Sequence, residues 1–234
     1  MKKGTVALSC LLLCLGVFAD APVGKHLFIL SGQSNMGGLD PNISFVPAVE
    51  KAFGAERVIV VKDALGGQPI RRWDKGWSKP IQGKAIVGGD LYVRLMKKVG
   101  VAIKGQKIDS VTFVWMQGER DAKESLADEY TASFGRVLAQ VQSDLKITEL
   151  RFVIGRLSDF DMTNDRYPQW TPIRDIQVAL AKKNPLGAWV DTDDLNDGVN
   201  RKGKQIKNDL HYSVNGYKTL GQRFADAAIQ LVQP

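Results

Sequence analysis

The amino-acid sequence predicts an α/β protein: a three-layer α/β/α sandwich built on a mainly parallel five-stranded sheet. Three observations predict it. Short apolar runs rich in Val, Ile and Phe alternate with longer stretches in which apolar residues recur at helical spacing, the pattern of parallel strands covered on both faces by helices. Several of those runs stop at glycine and small polar residues, as strands do at the ligand-binding edge of such a sheet. No internal repeat or linker divides the chain, and 234 residues are enough for one domain with one good core.

The first apolar run, 25–30, reads as a buried strand. It is followed by Ser31-Gly32-Gln33-Ser34-Asn35-Met36-Gly37, where Gly32 permits backbone angles that a β-carbon forbids. If a helix starts there, its first N–H groups have no intrahelical acceptor and face Ser34. Residues 41–47 are loop, and 46–53 suit a short helix. A second strand, Arg-Val-Ile-Val-Val-Lys at 57–62, runs into Ala64-Leu65-Gly66-Gly67-Gln68-Pro69. The stretch 71–89 is loop-like and carries Arg71, Arg72, Trp73 and Trp77. Over 90–103, Leu91, Leu95, Val99 and Ile103 fall on one helical face. Residues 107–115 form the third strand, 123–145 a long helix and 149–156 the fourth strand. A polar loop passes Tyr167, and Thr171-Pro172 supplies a cap and a first-turn proline for the next helix. The fifth strand is 186–191; a wet loop leads to His211, and Ser213 caps a final helix reaching about residue 232.

The N-terminus reads differently. Lys2 and Lys3 precede an uncharged run from Gly4 to Ala19, with Val17 and Ala19 at the positions a signal peptidase reads,. That run is short for a membrane span. The expectation is a signal peptide over 1–19, a single domain over 20–234, and a secreted or periplasmic protein with no stable membrane anchor after cleavage. Both cysteines, Cys10 and Cys14, lie in the signal, which leaves the mature chain without a disulfide or a thiolate metal site. Without Lys2 and Lys3 the 32 basic residues fall to 30 against 25 acidic, a net charge of +5. The basic residues are scattered, and the densest group, Arg201, Lys202, Lys204 and Lys207, reads as a solvated loop, so no nucleic-acid partner is expected.

Chemistry concentrates at the strand ends. A serine hydroxyl needs a base to become a nucleophile, and the chain has two histidines. His26 begins the first strand, at the opposite end from Ser34, and reads as structural. His211 stands in Asn208-Asp209-Leu210-His211-Tyr212-Ser213, where Asp209 is placed to fold back and hold the imidazole, completing a Ser34–His211–Asp209 chain. For the oxyanion, the N–H of Ser34, the backbone of Gly67 and the amide of Gln117 are candidate donors.

Gly-Gln-Ser-Asn-Met at 32–36, Gly-Gly at 66–67, Trp-x-Gln-Gly-Glu-x-Asp at 115–121 and the late His211 together resemble the SGNH hydrolase superfamily. More narrowly, they are similar to the sialate O-acetylesterase domain and the acetylxylan esterases of carbohydrate esterase family 6. The resemblance runs from about residue 26 to about residue 225. It implies a flavodoxin-like sheet, Ser34 and His211 as nucleophile and base, and Gly67 and Gln117 as oxyanion donors, with Gln117 replacing the superfamily's usual asparagine. One departure stands out. The usual ending is Asp-x-x-His, but here Asn208 occupies the first position and the aspartate comes one residue later.

Glu119 and Asp121 are expected to support the site by bracing the Gln117 loop through backbone groups or Arg120, with Glu119 also a candidate partner for the histidine. A paired-carboxylate glycosidase would leave Ser34 and His211 without a purpose. Arg71 and Trp73 are candidates for a substrate rim. The acidic stretch from Asp191 to Gly198 has Leu195 where a calcium loop needs a ligand. The stretch from Gly198 to Lys204 lacks the hydroxyl of a P-loop. No metal and no cofactor are expected. The expectation is a serine esterase that removes acetyl groups from a carbohydrate such as acetylated xylan or acetylated sialic acid. Its rivals are a small-ester or lipid esterase and a non-catalytic carbohydrate-binding protein.

Overall fold

The computed structural model describes Met1 and residues 23–233; the expected signal peptide, with Cys10 and Cys14, falls outside them. Five parallel strands form the central sheet: β1 (Lys25–Gly32), β2 (Val58–Ala64), β3 (Ile108–Met116), β4 (Arg151–Gly155) and β5 (Gly187–Val190), in the order β2-β1-β3-β4-β5. β1 pairs with β2 on one side and with β3 on the other, Gly32 lying beside Ala64 and Met116. The chain therefore leaves β1 for one neighbour and returns to its other side. In a parallel sheet that reversal opens a crevice at the carboxyl ends.

Alternate residues of each strand serve opposite layers. On one face, Phe28 of β1 meets Phe45 of α2 (Phe45–Phe53) edge-on, with ring centres 5.6 Å apart. α2 in turn lies beside the last helix, α7 (Val214–Val232). On the other face are α3 (Asp90–Ala102), α5 (Ala127–Leu145) and α6 (Trp170–Lys182). There Phe113 and Trp115 of β3 stack at 5.5 Å, and Phe134 of α5 packs against Trp115 and Phe152. Each of these aromatic side chains is fully buried, at roughly 1.5–3 kcal/mol of transfer free energy apiece.

Local structure departs from the sequence reading in three places. The helix expected over 123–145 starts later, as α5 from Ala127, and a separate single turn, α4 (Glu119–Lys123), precedes it. Ser125 between them has φ +56°, and Gln169 Oε1 accepts the Ala127 N–H at 2.7 Å, giving α5 a cap from a distant loop,. Thr171 does not cap α6, which begins at Trp170. Asn164 Oδ1 instead accepts the Thr171 N–H at 2.9 Å. The stretch 198–206, read as plain loop, contains a small antiparallel ribbon, β6 (Gly198–Val199) with β7 (Gln205–Ile206). Ser213 does cap α7, its Oγ accepting the Gly216 N–H at 3.0 Å.

Candidate active site

β1 ends at Gly32, whose φ is +147°. A β-carbon there would stand 1.9 Å from the carbonyl oxygen of Met116, so only glycine lets β1 and β3 close together at their ends. Immediately after it comes α1 (Ser34–Gly38), with Ser34 at its first position. The Ser34 N–H has no protein acceptor among the described residues, and neither does the N–H of Gly67, which follows β2 with φ +69°. Gly66 passes so near Ser34 that a β-carbon on it would lie 3.4 Å from the serine Cβ.

These residues share a cavity of about 260 Å³, lined by Gln33, Ser34, Gly66 and Gly67 on one side, by Glu119, Arg120, Lys123 and Tyr167, and by Leu210 and His211. Ends of β1, β2 and β3 and the loop beyond β5 thus meet at the crevice. Several hydrogen bonds hold the histidine loop. Asn208, at φ +44°, donates its N–H to Asp197 Oδ1 at 2.6 Å and accepts from Asn196 Nδ2 at 3.2 Å. The Asp209 N–H reaches Asn196 O at 3.2 Å and the Ser213 N–H reaches Leu195 O at 3.0 Å. Asp209 Oδ1 accepts the backbone N–H of His211 at 2.9 Å and stands 4.0 Å from the ring Nδ1. Among the described residues it is the one carboxylate so close to that ring. Asn208, in the position usually held by aspartate, spends its side chain on Asn196 and on Phe160 O, to which its Nδ2 donates at 3.3 Å.

Gln117 does not reach the cavity. It is fully buried, and its Nε2 is spent on Asp121 Oδ2, on Gln68 O at 3.0 Å and, at 3.4 Å, on Gln33 Oε1. The reason is the turn at Gly118, φ +145°, which sends the amide inward beneath α4. Its Oε1 has no partner among the described residues.

Glu119 and Asp121 brace this layer, Asp121 through a backbone N–H as expected and neither of them through Arg120. Glu119 Oε1 accepts from Asn35 Nδ2 at 3.0 Å, while Arg120 pairs with Glu124 at 2.6 Å. Asp121 Oδ2 accepts the Ile70 N–H at 2.9 Å as well as the Gln117 amide. Burial pushes Glu119 up to about 7, with the Asn35 donor opposing the shift and the Asp121 charge adding to it. Burial likewise pushes Asp121 up to about 7, opposed by the Gln117 and Ile70 donors. Glu119 Oε2 and Asp121 Oδ1 are both buried and have no partner among the described residues.

The expected rim is corrected. Trp73 is fully buried, donating from Nε1 to Ser31 Oγ at 3.0 Å and meeting Trp115 edge-on, because a short 3₁₀ turn (Ile70–Arg72) folds it back against the sheet. Arg71 is absent from the cavity wall and is held by Glu124. Glu124 therefore serves both Arg71 and Arg120. Lys123 lies 5.7 Å from the centre of the Tyr167 ring, with no carboxylate partner among the described residues.

Sequence reasoning singled out Ser34 and passed over its neighbours. Gln33 lines the cavity, its Oε1 held by the Arg120 N–H at 3.2 Å, which leaves Nε2 for the cavity side. Asn35 lies beneath, almost fully buried. The signal was present, since both flank Ser34 in the one stretch where an apolar run turns abruptly polar. Arg120 and Lys123, one turn apart on α4, follow Glu119 in the same way.

A family model described as a carbohydrate esterase, sialic acid-specific acetylesterase, matches residues 37–230, beginning just past Ser34. A probable carbohydrate esterase of Arabidopsis thaliana is 24% identical over 207 residues, covering 86% of this chain and 67% of that protein. Its crystal structure superposes with a TM-score of 0.65 at 21% identity, over 89% of this chain and 99% of that one. A carbohydrate acetylesterase from Xanthomonas citri gives 0.63 at 16% identity, over 90% of this chain and 56% of that chain. NanS gives 0.61 at 12%, over 91% and 99%. At these identities the structural likeness speaks for the fold alone, a mainly parallel α/β sheet covered by helices.

Proposed function

The chain belongs to the carbohydrate esterase family of sialic acid-specific acetylesterases, and from that premise we propose that it removes O-acetyl groups from a carbohydrate through an acyl-serine intermediate. The observation that carries this reading is that Ser34 and Gly67, from the ends of β1 and β2, and His211, from the loop before α7, line one cavity.

In the proposed reaction Ser34 Oγ attacks the ester carbonyl while His211 takes its proton. The carbonyl oxygen becomes an oxyanion held by the N–H groups of Ser34 and Gly67, with Gln33 Nε2 as the side-chain donor in the place first given to Gln117. Collapse of the tetrahedral intermediate breaks the ester bond. His211 passes its proton to the departing sugar oxygen, leaving acetyl on Ser34. Water, deprotonated by His211, then attacks the acetyl-serine; acetate leaves and Ser34 recovers its proton. Asp209 supports His211 by carrying negative charge beside Nδ1.

The wall supplied by Arg120 and Lys123 is cationic, with Glu124 shared between Arg71 and Arg120. That charge favours an acidic acetylated sugar over neutral xylan. The run from Gly4 to Ala19 after Lys2 and Lys3 supports export with signal cleavage, and the one five-stranded sheet supports a single domain over 20–234. Acetate release across acetylated sialic acid, acetylated xylan and a simple aryl acetate tests the reading, with Ser34→Ala as the control. Loss of several orders of magnitude in Ser34→Ala, together with covalent labelling of Ser34 by a fluorophosphonate, is expected. Near-normal release by Ser34→Ala would end the acyl-serine mechanism.

A further inference from the structure

We propose that Asn35 is a positioning residue that sets the histidine loop against the nucleophile turn, so that His211 is delivered to Ser34. This rests on the esterase reading above for its kinetic consequence, though not for its structural one.

Asn35 follows Ser34 directly in α1 and is 1% exposed. Its side chain joins three elements. Nδ2 donates one hydrogen to Glu119 Oε1 at 3.0 Å, at the start of α4, and the other to the carbonyl of Leu210 at 3.1 Å. Oδ1 accepts the hydroxyl of Tyr217 at 3.0 Å, from α7. A primary amide has two donor hydrogens, and both are used. The orientation is fixed as well, because the Leu210 carbonyl can only accept.

Leu210 O is the carbonyl immediately preceding His211. The loop's other bonds to distant residues run to 195–197, on the β5 side, and from Asn208 Nδ2 to Phe160 O, beyond β4. Among the described residues, Asn35 Nδ2 to Leu210 O is the one hydrogen bond joining residues 33–38 to residues 208–213. Without it the histidine segment is anchored only to the far wall of the crevice. The base is exposed, so packing alone does not hold it in register with Ser34. A misplacement of about 1 Å at a reacting pair is worth roughly 10²-fold in rate.

Asn35→Asp and Asn35→Ala test this, with Ser44→Ala as a structural control. Ser44 Oγ also ties α7, donating to Lys218 O at 2.8 Å, but touches neither Ser34 nor the histidine loop. At matched folded fraction, both Asn35 variants should lower kcat and the fluorophosphonate labelling rate of Ser34 by about 10²-fold with KM nearly unchanged. Ser44→Ala should lose melting temperature alone. Labelling and kcat per folded molecule at wild-type values in both Asn35 variants would overturn the proposal. A second readout does not need turnover. The chain has two histidines, so the imidazole resonances of His211 are read against those of His26 at the other end of the sheet. In Ser34→Ala, adding Asn35→Ala should shift the His211 resonances and raise amide exchange in residues 208–213 while His26 stays fixed. Unchanged His211 signals and protection would overturn it even if the esterase reading had failed by the Ser34→Ala test.

Discussion

Asp209 holds His211 by its main chain: Oδ1 takes the backbone N–H at 2.9 Å while the imidazole Nδ1 stands 4.0 Å away. Both side chains are more than two-fifths exposed. Loop geometry and catalytic charge are therefore separable by mutation.

Asp209→Asn keeps an oxygen for the His211 N–H and removes the charge. A screened pair at this separation is worth about 1 kcal/mol in water, roughly fivefold in rate. A ring that closes onto Asp209 during turnover would make the loss approach ~10⁴-fold. We expect a kcat loss well above the screened figure with an unchanged melting temperature. Asp209→Ala should lose both rate and loop protection. A loss near fivefold for Asp209→Asn would reduce Asp209 to a bystander charge and move the orienting role to Glu119.

The two glutamines should part company. Gln117→Ala leaves Asp121 Oδ2 with the Ile70 N–H alone and Gln68 O without its amide donor, so it should cost about 1–3 kcal/mol of stability. At matched folded fraction its turnover should change little. Gln33→Ala removes a donor from the cavity wall and should cost roughly 10²-fold in kcat with little change in KM. The reverse pattern would restore Gln117 to the oxyanion.

Glu119 and Asp121 make stability fall with rising pH. Their ordinary values are 4.5 and 3.8, and burial raises both to about 7 in the folded protein. Between about pH 4 and 7 the folded state therefore binds protons that the unfolded chain has released, and stability is lost across that window and flat above it. Asp90, Glu124, Asp193 and Asp194 are lowered by their arginine partners, and their effect, of opposite sign, lies below it. Denaturant midpoints should drop from pH 5 to pH 7.5, and Glu119→Gln with Asp121→Asn should flatten that drop. An equally steep drop in the double variant would mean that neither carboxyl holds its proton.

Lys123 separates substrate classes. Lys123→Ala should raise KM about tenfold for an acetylated acidic sugar, more at low salt, and leave a neutral acetylated sugar unaffected. Equal effects on both would remove charge as the basis of selection.

The sheet was legible because its strands are continuous apolar runs, Ser34 and Gly67 because small residues follow such runs, and His211 because it is one of two histidines and has Asp209 two places before it. What was not legible depends on direction. Gln117 sits where an amide should project into the crevice, but Gly118 at φ +145° turns it beneath α4. Trp73 looked like a rim aromatic since nothing in Arg-Arg-Trp announces the turn that buries it. The break between α4 and α5 at Ser125 interrupts an otherwise helical pattern, and the cap that starts α5 comes from Gln169, far along the chain. Such tertiary partners leave no periodic trace.

The strand order β2-β1-β3-β4-β5 makes catalysis a late event in folding. Ser34, Gly67 and His211 belong to the first strand, the second strand and the stretch before the last helix, so no half of the chain contains the site. Parallel pairing across long crossovers forms slowly. Refolding followed by circular dichroism should recover helix signal first, while hydrolysis of an ester returns only with the docking of α7. The reaction is thereby a reporter for completion of the sheet, and truncation before Asn208 should leave chains that acquire helix yet lack the base.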